Sequence, residues 1–365
     1  MLKVGIVGLP NVGKSSLFNA LTSAGAPSEN YPFCTVDPNV GTVEVPDTRL
    51  QRIHEATGSA RIVPTVMQFV DIAGLVKGAS EGEGLGNQFL ANIREVDAIA
   101  HVLRCFDDSD VAHVAGSVDP LRDREIVDTE LALADLETVE RRLDKVTKKA
   151  KSGDKEAKAE EAALRAALEP LSEGKAIRLA EIAEEHRVTL QQFQLLTAKP
   201  VLYVANVGEE DLPEGRNAWT EQVERVLAEE RDGEMVSVCS AIESELAELE
   251  VDERDEFLAD LGLDERGLDR FIRGAYHLLG LITYFTTGEK ESRAWTVRRG
   301  AKAPEAAGVI HSDFEKGFIR AETIGYEAFL GLGSMKECRD KGLIRSEGKE
   351  YVVKDGDILL FRFNV

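Results

Sequence analysis

The sequence predicts an α/β protein. It reads as a parallel-sheet nucleotide-binding domain, interrupted by a helical hairpin and followed by a small α+β module. Three observations carry that prediction. Short apolar runs alternate with helical stretches, the pattern of a parallel sheet covered on both faces. A complete phosphate-loop motif joins the first of these runs to the first helix. Between about residues 123 and 197 the alternation gives way to an Ala-, Glu-, Leu- and Lys-rich stretch with apolar residues at 3-4 spacing.

Taken in order, Lys3-Val4-Gly5-Ile6-Val7 is a buried strand, and Ser15 to Leu21 opens a helix after a Gly/Pro/Asn turn. Further buried strands are expected at Val66–Val70, Ala98–Phe106, Pro200–Val207 and Met235–Cys239. Leu136, Val139, Leu143, Val146 and Ala150 form the seam of a two-stranded coil, repeated more weakly by Leu164, Ala167 and Leu171. Lys151-Ser152-Gly153-Asp154 between them is a turn signal. From about Leu281 short strand signals return at Thr283–Thr286, Ala294–Val297, Tyr351–Val353 and Ile358–Phe361, around a helical piece at Ala306–Lys316. The expected division is therefore 1–122 with 198–279 for the nucleotide-binding domain, 123–197 for the inserted hairpin and 280–365 for the C-terminal module.

Composition narrows the function. At 43% apolar and 30% charged the chain excludes wholesale disorder. No apolar run approaches the roughly 18 residues of a membrane span; His277–Phe285 is short and broken by Gly280. The apolar start ends at Leu9 with Lys14 soon after, unlike a signal peptide. A cytoplasmic protein with no membrane partner is expected. Against 44 basic residues stand 66 acidic ones, a net charge of −22, which argues against non-specific binding along nucleic acid but leaves room for a local basic patch; no sequence-specific DNA partner is expected. Residues 280–365 are nearly neutral, with 14 basic and 13 acidic side chains. Cys34, Cys105, Cys239 and Cys338 form no metal spacing, so reduced thiols are expected, with a redox-sensing role left open.

The chemistry begins at Gly8-Leu9-Pro10-Asn11-Val12-Gly13-Lys14-Ser15, which matches G-x-x-x-x-G-K-[ST] in full. Backbone N–H groups of Asn11, Val12, Gly13, Lys14, Ser15 and Ser16 would surround phosphate oxygens at a helix N-terminus. Lys14 would neutralise the β and γ phosphates, and Ser15 would offer its hydroxyl to Mg²⁺. Asp71-Ile72-Ala73-Gly74 closes a strand; Asp71 would hold the Mg²⁺ water shell, and the Gly74 N–H would sense the γ-phosphate. Thr35 would complete the Mg²⁺ shell only with triphosphate bound; Thr22, Thr42 and Thr48 are the alternatives. Asn206-Val207-Gly208-Glu209 stands where a GTPase carries Asn-Lys-x-Asp, but the lysine is a valine and the aspartate a glutamate. The pair of hydrogen bonds that selects guanine should be lost. Asn206, Val207 and Glu209 are still expected at the nucleotide, with a turn residue as the alternative for Asn206. Ser240-Ala241 is the expected base-backing loop.

The segments GLPNVGKSS, YPFCTVDPN, DIAGLVKGASEGEGLGNQF, NVGE and RAWTVRRGAKAPEAAGVIHSDFEKGFIRAE together resemble the YchF / Obg-like ATPase family. The resemblance runs from Leu2 to Val365. It implies a Ras-like G domain, an inserted helical coiled coil and a C-terminal TGS domain of β-grasp type. It also implies ATP preferred over GTP, and association with ribosomes. Leu75 stands where a Ras-like enzyme places its water-orienting Gln, so slow hydrolysis is expected. Asn11 resembles the asparagine that ligates K⁺ in cation-dependent relatives, and His113 matches the loop histidine proposed as catalytic in the family. Gly74, Gly78, Gly82, Gly84 and Gly86 suggest a mobile second switch. Three functions compete: a slow ATPase whose nucleotide state controls ribosome docking in translation or stress regulation, an Obg-type GTPase of ribosome assembly, and a nucleotide-gated binding protein with incidental hydrolysis. A monomer is expected, because the coil can pair internally. Lys145, Lys148, Lys149, Lys151, Lys155 and Lys158 near the hairpin tip, and Arg293, Arg298, Arg299 and Lys302, are the candidate RNA contacts.

Overall fold

The computed structural model describes residues 2–23, 39–72, 85–109, 111 and 113–364. Cys34, Thr35, Gly74, Leu75, Gly78, Gly82 and Gly84 lie outside these residues. In chain order the strands are β1 (Lys3–Val7), β2 (Val40–Glu44), β3 (Ile62–Val63), β4 (Val66–Asp71), β5 (Ala98–Cys105) and β6 (Val201–Val207). They continue with β7 (Glu234–Val238), β8 (Leu281–Thr287), β9 (Ser292–Arg298), β10 (Phe318–Gly325), β11 (Arg345–Glu347) and β12 (Asp357–Phe363). Two compact units result, residues 1–43 with 68–275 and residues 44–67 with 276–365.

The first unit is built on a sheet of order β2-β4-β1-β5-β6-β7. β1 pairs in parallel with β4 and β5, and the parallel pairing continues through β6 to β7. Every residue of β5 and β6 is buried, which is why both read as continuous apolar runs rather than alternating ones. The chain moves from β1 outward to one side and then to the other. The C-terminal ends of β1 and its neighbours therefore form the crevice where open α/β sheets place ligands. The four later strands of this sheet fall within a residue or so of the sequence expectation. Pro200 drops out of β6 because it has no N–H to donate, although its carbonyl accepts from Ile99 N at 3.0 Å.

The insertion is a pair of helices, Pro120–Lys151 and Lys155–Ser172, joined at Ser152-Gly153-Asp154. Asp119 caps the first by accepting from Arg122 N, and Asp154 caps the second by accepting from Glu156 N and Ala157 N. Gly153 takes φ +95°, which suits glycine in so short a turn. Val139, Val146 and Ala150 pack with Leu164, Ala167 and Leu171, with Leu136 and Leu143 at the margin, so the expected stripe is the hairpin core. A buried cluster fixes its base. Arg124 and Arg178 both bond Asp232, and Tyr203 Oη donates to the same carboxylate at 2.7 Å.

The second unit carries a sheet of order β11-β10-β12-β8-β9-β3. β8 and β9 form an antiparallel hairpin, β10 pairs antiparallel with β12, and β12 runs parallel to β8. This is the β-grasp arrangement. Successive side chains of β8 enter different cores. Tyr284 packs with Phe361 and Ala306 on one face, and Phe285 packs with Leu50, Ile53, Ile324 and Ile358 on the other. Residues 44–67, expected in the nucleotide-binding domain, cluster with the C-terminal segment. The pairing of Ile62 and Val63 with Ser292 and Arg293, and the packing of Leu50 and Ile53 under the sheet, account for this. Tyr351–Val353, expected as a strand, makes only a single bridge, Lys302 to Val352, before the Lys354-Asp355-Gly356 turn ends it. The expected helix at Ala306–Lys316 is two helices, Ala303–Ile310 and Ser312–Lys316, because His311 is extended at φ −161° and caps the second. β2, β3, β10 and β11 were not expected from the sequence. The three described cysteines, Cys105, Cys239 and Cys338, are free and buried. Among the described residues no helix is long and apolar enough to cross a membrane.

Candidate functional site

β1 delivers the chain into a loop with three unusual backbone angles, Gly8 at φ +156°, Asn11 at +63° and Gly13 at +95°. A Cβ on Gly8 would stand 2.6 Å from Val102 O, and one on Gly13 would stand 2.1 Å from Asn206 Nδ2. Both glycines are therefore required by close approach as well as by angle. Leu9 and Val12 anchor the loop, at 3% and 0% exposure. The helix Lys14–Ser23 follows, with Ser15 and Ser16 exposed in its first turn. Its free N-terminal N–H groups and dipole favour an anion there.

Lys14 is buried, and its Nζ donates to Leu9 O at 2.6 Å. Burial pushes the ammonium down to about 8, and the nearby Asp71 carboxylate opposes that shift. Asp71 ends β4 level with Ile6 of β1. Burial pushes its carboxyl up, and Lys14 opposes that in turn. The Ser15 hydroxyl and the Asp71 carboxylate are hard oxygen donors, the chemistry Mg²⁺ takes alongside phosphate oxygens and water. Among the described residues no group of three or more His, Cys, Asp or Glu side chains could hold a metal alone. Thr22 donates to Phe18 O and Asn19 O of its own helix, and Thr48 opens a helix of the second unit. Thr35 and Gly74 lie outside the described residues.

Asn206, buried on β6, is a strut rather than a turn residue. Its Nδ2 donates to Val12 O at 2.9 Å, and its Oδ1 accepts from Ser240 N at 3.0 Å. The one side chain thus ties the phosphate loop, 194 residues before it in the chain, to Ser240-Ala241, which begins 34 residues after it. Next to it opens a cavity of about 440 Å³, lined by residues 106–109, 206–210 and 239–241. Val207 is buried at 2% exposure, whereas Glu209 is exposed at the rim. The Gly208–Glu210 segment is held from behind. Gly208 N donates to Asp211 Oδ2 at 3.2 Å, and Asn217 Nδ2 donates to the same oxygen and to Cys105 O, each at 2.7 Å.

His113 is seated against the first helix of the insertion. Its Nδ1 accepts from Ala115 N at 3.1 Å, which places the ring proton on Nε2, 2.7 Å from Asp123 Oδ2. Both ring nitrogens are therefore engaged, and the side chain is only 4% exposed. The six hairpin lysines, from Lys145 to Lys158, are all exposed. In the second unit Arg298 and Arg299 are exposed, Arg293 lies over the Trp295 ring at 4.0 Å, and Lys302 pairs with Glu350 at 2.6 Å. Sequence reasoning missed Arg104, Asp123, Asp211 and Asn217. Arg104 alone left a signal, a charge inside the mostly apolar β5.

Residues 3–131 match the MMR_HSR1 model, described as a 50S ribosome-binding GTPase. Residues 281–364 match the YchF-GTPase_C model, described as a protein of unknown function (DUF933). The chain is 55% identical to the ribosome-binding ATPase YchF of Bacillus subtilis, over 364 residues and 100% of both chains. It is 53% identical to the protein of that name in Escherichia coli O157:H7, over 100% of this chain and 99% of the other. The solved structure of the Schizosaccharomyces pombe YchF GTPase superposes with a TM-score of 0.87 at 39% identity, covering 99% of this chain and 97% of that one.

Proposed function

This chain belongs to the YchF family, and we propose that it is a ribosome-associated, cytoplasmic P-loop nucleotide hydrolase that prefers ATP to GTP and switches with its nucleotide state. The observation that carries this reading is the Asn206 strut. It joins a phosphate-binding loop to a cavity of about 440 Å³ whose lining has Val207 and Glu209 in place of the guanine-reading pair. The relatives' names divide on the nucleotide, ATPase for the bacterial proteins and GTPase for the yeast one, so the base site of this chain is where the question lies.

In the proposed cycle Lys14 and the loop N–H groups bind the β and γ phosphates, with Ser15 and Asp71 as the residues that would hold Mg²⁺. When bound, Mg²⁺ neutralises charge developing on the phosphate oxygens. Asn11 is the proposed ligand of a K⁺ ion that would add positive charge. Water orientation falls to His113, whose ring reaches water only after leaving Asp123 and Ala115 N; the need for that release fits a slow intrinsic rate. We further propose that the protein is a monomer, that its helical insertion and C-terminal β-grasp domain act as separate modules, and that the hairpin lysines, with Arg298 and Arg299, contact ribosomal RNA.

Calorimetric titration with Mg·ATP and Mg·GTP tests the nucleotide assignment. ATP should bind at least as tightly as GTP, and the Val207→Lys, Glu209→Asp double variant should move the preference toward GTP. GTP binding tenfold tighter to the wild type, about 1.4 kcal/mol, would instead assign an Obg-type GTPase.

A further inference from the structure

We propose that Arg104 is a positioning residue for nucleotide-base recognition, an inference that rests on reading the cavity beside Asn206 as the base site. Arg104 is the penultimate residue of β5, paired in register with Asn206 of β6. It is 1% exposed and is the largest fully buried side chain among the described residues.

A buried guanidinium is costly unless its donors are met. Here they are met by the backbone of the loop that follows β5. Nε donates to Phe106 O at 3.2 Å, Nη2 to Asp108 O at 3.3 Å and Nη1 to Val111 O at 2.9 Å. The Phe106 ring lies against the guanidinium, 4.6 Å from its central carbon. The carbonyls of Phe106, Asp108 and Val111 thus close on one planar cation, and residues 106–109 line the cavity. The other lining segment 206–210 is supported by Asn217 and Asp211. The phosphate loop has supports of its own in β1, the helix Lys14–Ser23 and Asn206.

This division of labour makes the effect of Arg104 selective. Loss of the guanidinium removes three donors and the ring contact from the base wall and leaves the supports of the phosphate end in place. A role in general stability would weaken all nucleotide contacts alike. A role in the base wall weakens only ligands that carry a base. Lysine keeps the charge without the planar fork of donors, so Arg104→Lys should be milder than Arg104→Met.

The test uses the full chain and two probes, Mg·ATP and Mg·tripolyphosphate, each titrated by calorimetry into wild type, Arg104→Lys and Arg104→Met. We expect the Kd for ATP to rise about tenfold in Arg104→Met, equivalent to about 1.4 kcal/mol, and less in Arg104→Lys. The Kd for tripolyphosphate should stay within about twofold of wild type in both variants. Equal weakening of both ligands, loss of the folding transition in both variants, or unchanged ATP affinity would each overturn the proposal. Wild-type protein that binds ATP no tighter than tripolyphosphate would overturn the base-site reading itself, a result separable from the other three.

Discussion

Lys14→Met should stabilise the protein while abolishing triphosphate binding. The unfolded chain holds the Lys14 proton up to its ordinary value of 10.5, whereas burial brings the folded value down to about 8. At pH 7 the lysine is charged in both states, and the folded state bears the cost of burying that charge. The gap of about 2.5 units between those values corresponds to roughly 3 kcal/mol at about 1.4 kcal/mol per unit. Little is lost to solvent screening, because Lys14 is 7% exposed. Methionine fills similar space with no charge. It forfeits the bond to Leu9 O and leaves Asp71 without its cationic neighbour, which returns part of the gain. A net stabilisation of about 1–3 kcal/mol remains, and at about 2–4 °C per kcal/mol the melting point rises by several degrees. The sign against pH is fixed by the depressed folded value. The wild-type cost is fully present below about pH 8, shrinks as pH rises through the window to 10.5, and is absent above it. The advantage of the variant should therefore be largest at pH 7 and vanish near pH 10.5. The assay is calorimetric melting from pH 7 to 10.5, following the transition that Mg·ATP shifts in the wild type. A variant that melts no higher than wild type at pH 7, or a difference that does not shrink with rising pH, would refute the argument.

Other consequences are open to measurement. His113→Ala should lower kcat with little change in ATP affinity; a wild-type rate would assign water orientation to another group. Turnover in K⁺ should exceed turnover in Na⁺, and Asn11→Ala should remove the difference; equal rates in the two salts would dismiss the cation site. Reversing Lys145, Lys148 and Lys149 to Glu should weaken co-sedimentation with ribosomes and flatten its salt dependence, with ATP affinity unchanged. Full binding by that variant and by an Arg298→Glu, Arg299→Glu pair would move docking to another face.

What the sequence determined by itself is what local pattern encodes. The Gly8–Ser15 spacing fixes a loop whose angles glycine must supply, and the apolar runs of β5 and β6 announce strands buried on both faces. The 3-4 stripe from Leu136 to Ala150, followed by a glycine turn, announces a hairpin whose helices bury one another. Each of these depends on residues a few positions apart. The tertiary structure decided the rest, because it turns on residues far apart in the chain. Asn206 reads as a nucleotide-site residue, and only the fold brings Val12 and Ser240 to its two ends and makes it a strut. Residues 44–67 read as part of the first domain until Ile62 and Val63 pair with Ser292 and Arg293. Arg104 has no reading in the sequence, and its role emerges only where the carbonyls of Phe106, Asp108 and Val111 close on its guanidinium. The lowered value of Lys14 likewise comes from the packing around it, and no spacing of letters specifies how much water a folded loop excludes.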